Sequence, residues 1–165
     1  MTVLASSNGY VVDDDLARVD LDVVHGFLRT SYWSPGVPRP VVEKAIANSV
    51  VVGVYAADGR QVGFARAATD RATFAWIADV FVVESERGAG LGRLAVESLL
   101  AHPELQGLRR VMLATADAHE LYRSYGFTDL DDPSRYLVRR VAPLELYGAP
   151  DAAGNSGPGA DISRV

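Results

Sequence analysis

From Asp79 to Leu100 the chain reads Asp-Val-Phe-Val-Val-Glu-Ser-Glu-Arg-Gly-Ala-Gly-Leu-Gly-Arg-Leu-Ala-Val-Glu-Ser-Leu-Leu, and no other stretch restricts the fold as much. Phe74 to Val83 is β-branched and aromatic, the composition of a strand packed on both faces. Glu84 to Arg87 breaks the apolar run, and Gly88, Gly90 and Gly92 then alternate through a turn. Leu91, Leu94, Ala95, Leu99 and Leu100 follow at near-helical spacing. Glycines between a strand and a helix leave backbone N–H groups uncovered at the positive end of the helix dipole, where phosphate groups bind. Arg87 and Arg93 add fixed positive charge, so the stretch reads as a seat for a phosphorylated ligand.

Three glycine motifs compete for this turn. A Walker loop requires a Lys after its last Gly, and none stands here. A dinucleotide fingerprint requires Gly-x-Gly-x-x-Gly, whereas the spacing here is Gly-x-Gly-x-Gly. Arg87, Gly90 and Gly92 fit a third pattern, Arg-x-x-Gly-x-Gly, and there the sequence resembles the GNAT N-acetyltransferase superfamily. Ala118-His-Glu-Leu-Tyr-Arg-Ser-Tyr-Gly-Phe127 resembles that superfamily's second signature, Leu-Tyr-x-x-x-Gly-Phe, in the order the family requires. The resemblance covers about residues 8 to 140.

Composition bounds the remaining classes. The 165 residues suffice for one domain with a core, and 48% hydrophobic with 22% charged residues is ordinary for a globular chain. There is no cysteine, which excludes disulfides and thiolate metal sites, and His25, His102 and His119 are scattered, so no metal is expected. A net charge of −5 argues against nucleic acid as a partner. No apolar run approaches a membrane span, and no secretory pattern opens the chain, so the expected location is the cytoplasm.

Along the chain, Tyr10 to Val12 reads as a first strand, with a solvated turn at Asp13 to Asp15. Asp20 stands as N-cap before a helix carrying Leu21, Val24, Phe27 and Leu28. Ser31 to Pro40 holds three prolines and a glycine and reads as a loop bearing Tyr32 and Trp33. A short helix over Val41 to Asn48 precedes strands at Val50 to Ala56, Gln61 to Thr69 and Phe74 to Val83, the first two joined at Asp58-Gly59. After the glycine-turn helix, Leu108 to Thr115 reads as a strand parallel to Phe74–Val83. Asp117 to Glu120 reads as a capping box, Gly126 as a helix-ending glycine, and Tyr136 to Val141 as a final strand. These elements predict one α/β domain, residues 1–147, and a disordered tail over 148–165. The sheet is expected to be mixed and mostly antiparallel, flanked by helices.

The resemblance implies the ligand geometry. The parallel strands would splay around an acyl-coenzyme A site. Backbone groups of Phe81, Val82 and Val83 would pair with pantetheine, and the N–H of Phe81 or Val82 would polarise the acetyl carbonyl. Gly88, Ala89, Gly90, Leu91 and Gly92 would hold the pyrophosphate with Arg87, and Arg93 would reach the phosphates too. Thr115 stands where many relatives carry an Asn that contacts the coenzyme arm. Tyr122 matches the signature tyrosine, a general acid beside the coenzyme sulfur, while Tyr125 falls outside that position. Asp79 and His119 are the candidates for general base, with a water chain as the alternative. Relatives that carry a Glu for this role have it where Ala78 stands, and strand alternation would turn Asp79 to the opposite face. Tyr32 and Trp33 would wall the acceptor pocket, with His119 also substrate-facing.

The function so implied is transfer of acetyl from acetyl-CoA to a primary amine of a small molecule, without a metal. Alternatives are a longer acyl donor on coenzyme A or a carrier protein, a protein-lysine acceptor, and a non-catalytic acyl-CoA-binding module. Relatives often pair, so a homodimer is a further expectation.

Overall fold

Six strands form one sheet in sequence order, β1-β2-β3-β4-β5-β6, in a computed structural model that describes residues 3–148. The strands are β1 (Val3–Ser7), β2 (Tyr10–Asp13), β3 (Ser49–Tyr55), β4 (Gln61–Thr69), β5 (Phe74–Val82) and β6 (Arg110–Met112). The helices are α1 (Leu21–Leu28), α2 (Arg39–Ala47), α3 (Leu91–Leu100), α4 (His119–Arg123) and α5 (Pro143–Tyr147). Neighbouring strands are antiparallel except β5 and β6, which run parallel because α3 crosses between them. The expected mixed, mostly antiparallel sheet is therefore present.

Two apolar layers cover the sheet. On one face Val52, Val54, Val62 and Val82 pack with Leu91, Ala95 and Leu99 of α3. On the other, Val51, Phe64 and Phe81 pack with Val24 and Leu28 of α1 and Val42 and Ile46 of α2. This double covering explains why β3 reads as an almost unbroken run of valine. Asp20 caps α1 as expected, its Oδ1 accepting from the N–H groups of Asp22 (2.9 Å) and Val23 (3.2 Å).

Five expectations are corrected. Asp13, expected in a solvated turn, ends β2 and is fully buried, its carboxylate paired with Arg18. A strand, β1, precedes the expected first one, joined to it by a hairpin at Asn8-Gly9, where φ is +49° and +84°. The strand expected over Leu108–Thr115 is confined to Arg110–Met112, and the chain beyond Met112 peels away from β5. Asp117 does not cap α4: the cap position is Ala118, which makes no side-chain cap bond, and the Thr115 hydroxyl accepts the Ala118 N–H at 3.0 Å. Tyr136–Val141 is not a strand. Leu137 and Val138 are adjacent and almost wholly exposed, so the segment has no single apolar face at a period of two. Gly126 does close α4, at φ +86°, with the Phe127 N–H reaching back to the Tyr122 carbonyl at 3.2 Å. The expected tail lies, beyond Gly148, outside the described residues.

Candidate active site

The site is built on a break in β5. Arg66 of β4 pairs with Ala78, yet Phe64 pairs with Phe81, so two residues of β5, Asp79 and Val80, stand opposite Ala65. This is a β-bulge, and Asp79 sits in it at φ +54°, a conformation that Asp tolerates better than most residues. The extra residue reverses the strand's facing rule. Ile77 and Val80 both pack on the α3 layer, while Phe81 packs on the α1–α2 layer. The alternation expected to turn Asp79 away from the face of Ala78 does not hold, because Asp79 is itself in the bulge. Asp79 reaches the loop after α1, where its Oδ1 accepts from Trp33 Nε1 at 3.0 Å. Its Oδ2 accepts from Arg66 Nε at 2.5 Å, and Arg66 also donates to Ser49 Oγ at 3.1 Å. The Asp79 and Arg66 side chains keep 10% and 18% of their exposure, so the pair is mostly withdrawn from water.

Beyond the bulge β5 runs on without β6. The parallel ladder pairs only Phe74, Trp76 and the residue between them with Arg110–Met112, so the gap-facing edge of β5 is open from Ile77 onward. The Val83 N–H donates to Val62 at 2.9 Å, and the Phe81 carbonyl is turned toward Gly63. Alternation of backbone direction along a strand then points the Val82 groups into the gap. Of the two oxyanion donors expected, Phe81 has its backbone turned to β4. The Val82 carbonyl accepts from Arg87 Nε at 3.3 Å, which fixes Arg87 at the strand end.

The glycine turn forms as the sequence requires. Gly88 and Gly90 adopt φ of +85° and +73°, and a Cβ at either would meet nothing within 4 Å, so the turn is an open cradle. Gly90 is the N-cap of α3 and contributes no side-chain bond, leaving the N–H groups of the first turn directed outward. A carboxylate fastens the approach to this turn, as Tyr10 donates to Glu86 Oε2 at 2.6 Å. The Arg93 guanidinium lies 5.8 Å from the centre of the Tyr125 ring, whose hydroxyl donates to Glu97 at 2.8 Å.

An aromatic series runs from the loop after α1 into the core. Tyr32 meets Trp33 edge-on at 4.9 Å, Trp33 lies 6.2 Å from Phe27, and Phe27 stacks on Phe81 at 4.0 Å and 7°. The loop itself is tied down, with the Gly36 N–H bonded to Arg29 (2.8 Å) and the Ser31 hydroxyl to Leu28 (2.8 Å). Tyr122, on α4, is buried, and its phenol is pushed up to about 12, first by burial and then by Tyr32 and Asp117. It rests edge-on against Phe127 at 5.7 Å.

Two clefts meet at Tyr122. The smaller, about 370 Å³, lies in the opening between β5 and the segment after β6 and is walled by Tyr32, Trp33, Trp76, Asp79 and Tyr122. The larger, about 690 Å³, is lined by β6 and the chain after it and includes His119 and the exposed Leu137 and Val138. Thr115 and Tyr122 border both. The sequence-expected residues thus divide: Tyr32, Trp33 and Asp79 share the smaller cleft with Tyr122, and His119 falls in the larger. Arg66 and Trp76 were not expected. Arg66 is the one charge in the apolar run Gln61–Thr69, and a lone charge in one strand facing a lone charge in the next was the available signal.

The sheet has one parallel pair, parted beyond its third residue, and between those two strands an uncapped, glycine-rich helix start. The chain belongs to the acetyltransferase (GNAT) family, whose model matches residues 23–127. A provisionally named GNAT acetyltransferase of Xanthomonas campestris pv. campestris is 40% identical, with a TM-score of 0.81 over 85% of this chain and 99% of that one. A provisionally named acetyltransferase of Gibberella zeae is 29% identical over 85% of this chain and 91% of its own length. Serotonin N-acetyltransferase 2, chloroplastic, of Oryza sativa subsp. japonica is 36% identical over 72% of this chain and 62% of the rice protein. Among the described residues no helix is long and apolar enough to cross a membrane.

Proposed function

We propose that the protein transfers the acetyl group of acetyl-CoA to the primary amine of a small molecule by direct attack. The observation that carries this reading is Tyr122, a buried phenol at the junction of the two clefts, beside the open edge of β5. The pyrophosphate would lie in the Gly88–Gly92 cradle with Arg87, and the pantetheine arm along Val82 and Val83 past Thr115. The Val82 N–H would donate to the carbonyl oxygen as it gains charge. The amine nitrogen then bonds the carbonyl carbon, the carbon–sulfur bond breaks, and Tyr122 gives its proton to the departing thiolate. Held near 12, that phenol keeps its proton throughout the neutral range until the thiolate forms.

Asp79 serves this reaction as a positioning residue. Both of its oxygens are engaged, Oδ1 by the Trp33 indole N–H and Oδ2 by the Arg66 guanidinium, so neither is left without a donor. The ammonium proton leaves instead through water in the cleft. The acceptor on this fold is a property of loops, and the loop after α1 walls the smaller cleft together with the segment after β6.

Thermal unfolding with acetyl-CoA, free coenzyme A, NAD or no ligand tests the coenzyme site. Coenzyme at ~100 times its dissociation constant stabilises by about 2.7 kcal/mol. For a chain of this length that raises Tm by roughly 5–10 °C. A rise with both coenzymes and none with NAD is expected. Equal melting in all four samples would overturn the reading.

A further inference from the structure

We propose that the acceptor is an aromatic amine, a flat ring carrying a short aminoalkyl chain, and that Tyr32, Trp33 and Trp76 are the residues that select it. This rests on the acetyl-transfer reading above and names the substrate class of the same site. The smaller cleft has the size of a small-molecule pocket and is walled by four aromatic side chains, Tyr32, Trp33, Trp76 and Tyr122. Tyr32 and Trp76 are 50% and 37% exposed, so much of their ring surface is left uncovered at the opening. The edge-on Tyr32–Trp33 pair sets two ring planes at 85°, an arrangement that receives a third ring by stacking on one and meeting the edge of the other.

Charge argues the same way. Among the described residues that line this cleft one is charged, Asp79, and Arg66 neutralises it. A sugar phosphate or an amino-acid carboxylate would bring an anion that no cation in the wall meets. A polyamine would bring a second permanent cation into an apolar pocket without an anion to receive it. An aromatic amine brings one titratable group. Apolar walls disfavour the ammonium form, which yields the neutral nucleophile that the transfer requires. Until it loses the proton, the ammonium is held by the faces of the rings. The Trp33 indole is fixed for this task by its bond to Asp79 and by its contact with Phe27, so the wall is in place before the amine arrives.

The test is a panel of tryptamine, phenethylamine, spermidine, lysine and glucosamine 6-phosphate, each with acetyl-CoA, scored by thiol release on the full chain. The expected result is a kcat/KM for the two arylalkylamines at least about tenfold above the other three. Tyr32→Ala, at a half-exposed site, is expected to raise KM for tryptamine by roughly five- to tenfold while the KM for acetyl-CoA is unchanged. Trp33→Phe keeps a ring and is expected to lose less than Trp33→Ala. Preference for spermidine or the sugar phosphate, equal use of all amines, or a Tyr32→Ala enzyme with unchanged tryptamine KM would each overturn the proposal. Turnover of none of the amines by a protein that coenzyme A stabilises would overturn it too, leaving the coenzyme site standing. A protein that neither coenzyme stabilises would remove both readings together.

Discussion

Replacing Asp79 separates its two tasks, holding a strained backbone and holding a charge. Asp79→Ala leaves the Arg66 guanidinium without its carboxylate. Breaking a fully buried pair in this way costs about 3–5 kcal/mol. Arg66 retains Ser49 and some contact with water, so ~2 kcal/mol is the better figure here. Alanine at φ +54° adds roughly 1 kcal/mol of left-handed strain. The expected total, about 3 kcal/mol, lowers Tm by roughly 6–12 °C. Asp79→Gly removes the same charge without the strain and should lose about 1 kcal/mol less than the alanine variant. Asp79→Asn keeps an oxygen for Trp33 and tolerates the backbone, and should lose the least. Urea denaturation of the three variants gives the midpoints, and a double-mutant cycle with Arg66→Met isolates the pair. A coupling near zero in that cycle, or an alanine variant no less stable than the glycine one, would refute this account of the bulge.

Tyr122→Phe removes the donor and leaves the ring against Phe127, so activity should fall by ~100- to 10,000-fold with little change in the urea midpoint. Steady-state kinetics beside a denaturation curve checks both halves. Tyr55 and Tyr122 are each raised from 10 to about 12 in the folded chain, first by burial. Their contribution to stability is therefore complete below pH 10 and lost as pH rises from 10 through 12. The slope is about 1.4 kcal/mol per pH unit for each group. Urea midpoints taken from pH 8 to pH 11 should be flat at first and then fall. Gly53→Ala places a Cβ 2.3 Å from the Tyr55 hydroxyl, a clash that requires the ring to move. Overpacking of this kind costs ~1–3 kcal/mol, readable by thermal unfolding, and Tyr55→Leu in the same chain should recover part of it. Gly90→Ala meets no neighbour and should cost only the left-handed strain of roughly 1 kcal/mol, again by thermal unfolding.

What could be read in advance follows from how local each determinant is. The strand-turn-helix of residues 74–100 is coded by its own residues, with glycine at positions of positive φ and leucines at helical spacing, and it stands as expected. Strand β4 has the expected limits, Gln61–Thr69, because the Asp58-Gly59 turn and the strand's apolar run agree. The Asn8-Gly9 hairpin was just as local, and its dipeptide was the visible signal for β1. The bulge was not legible. It is a mismatch between two strands, and β5 alone reads as a regular run. From it follow the facing of Asp79 and its pairing with Arg66. The exclusion of Tyr136–Val141 from the sheet is likewise set elsewhere, by a β6 of three residues that offers little edge to pair with. The division of His119 from Tyr32 and Trp33 depends on the path of the chain after Met112, which no spacing encodes.

The single extra residue in β5 works as a change of reading frame within one strand. Before it, odd-numbered positions such as Ala75 and Ile77 belong to the α3 layer, and after it the even-numbered Val80 and Val82 do. A substitution rule learned on the first half is therefore inverted on the second. A deletion would be judged by where it falls. Loss of Asp79 would merge the frames into one regular strand with its layers still matched, whereas loss of one residue between Phe74 and Ile77 would turn the side chains on one side of the cut to the wrong layer. Homologous chains that keep this bulge would keep their layers only by preserving the count of residues on each side of it, even where the residues themselves drift.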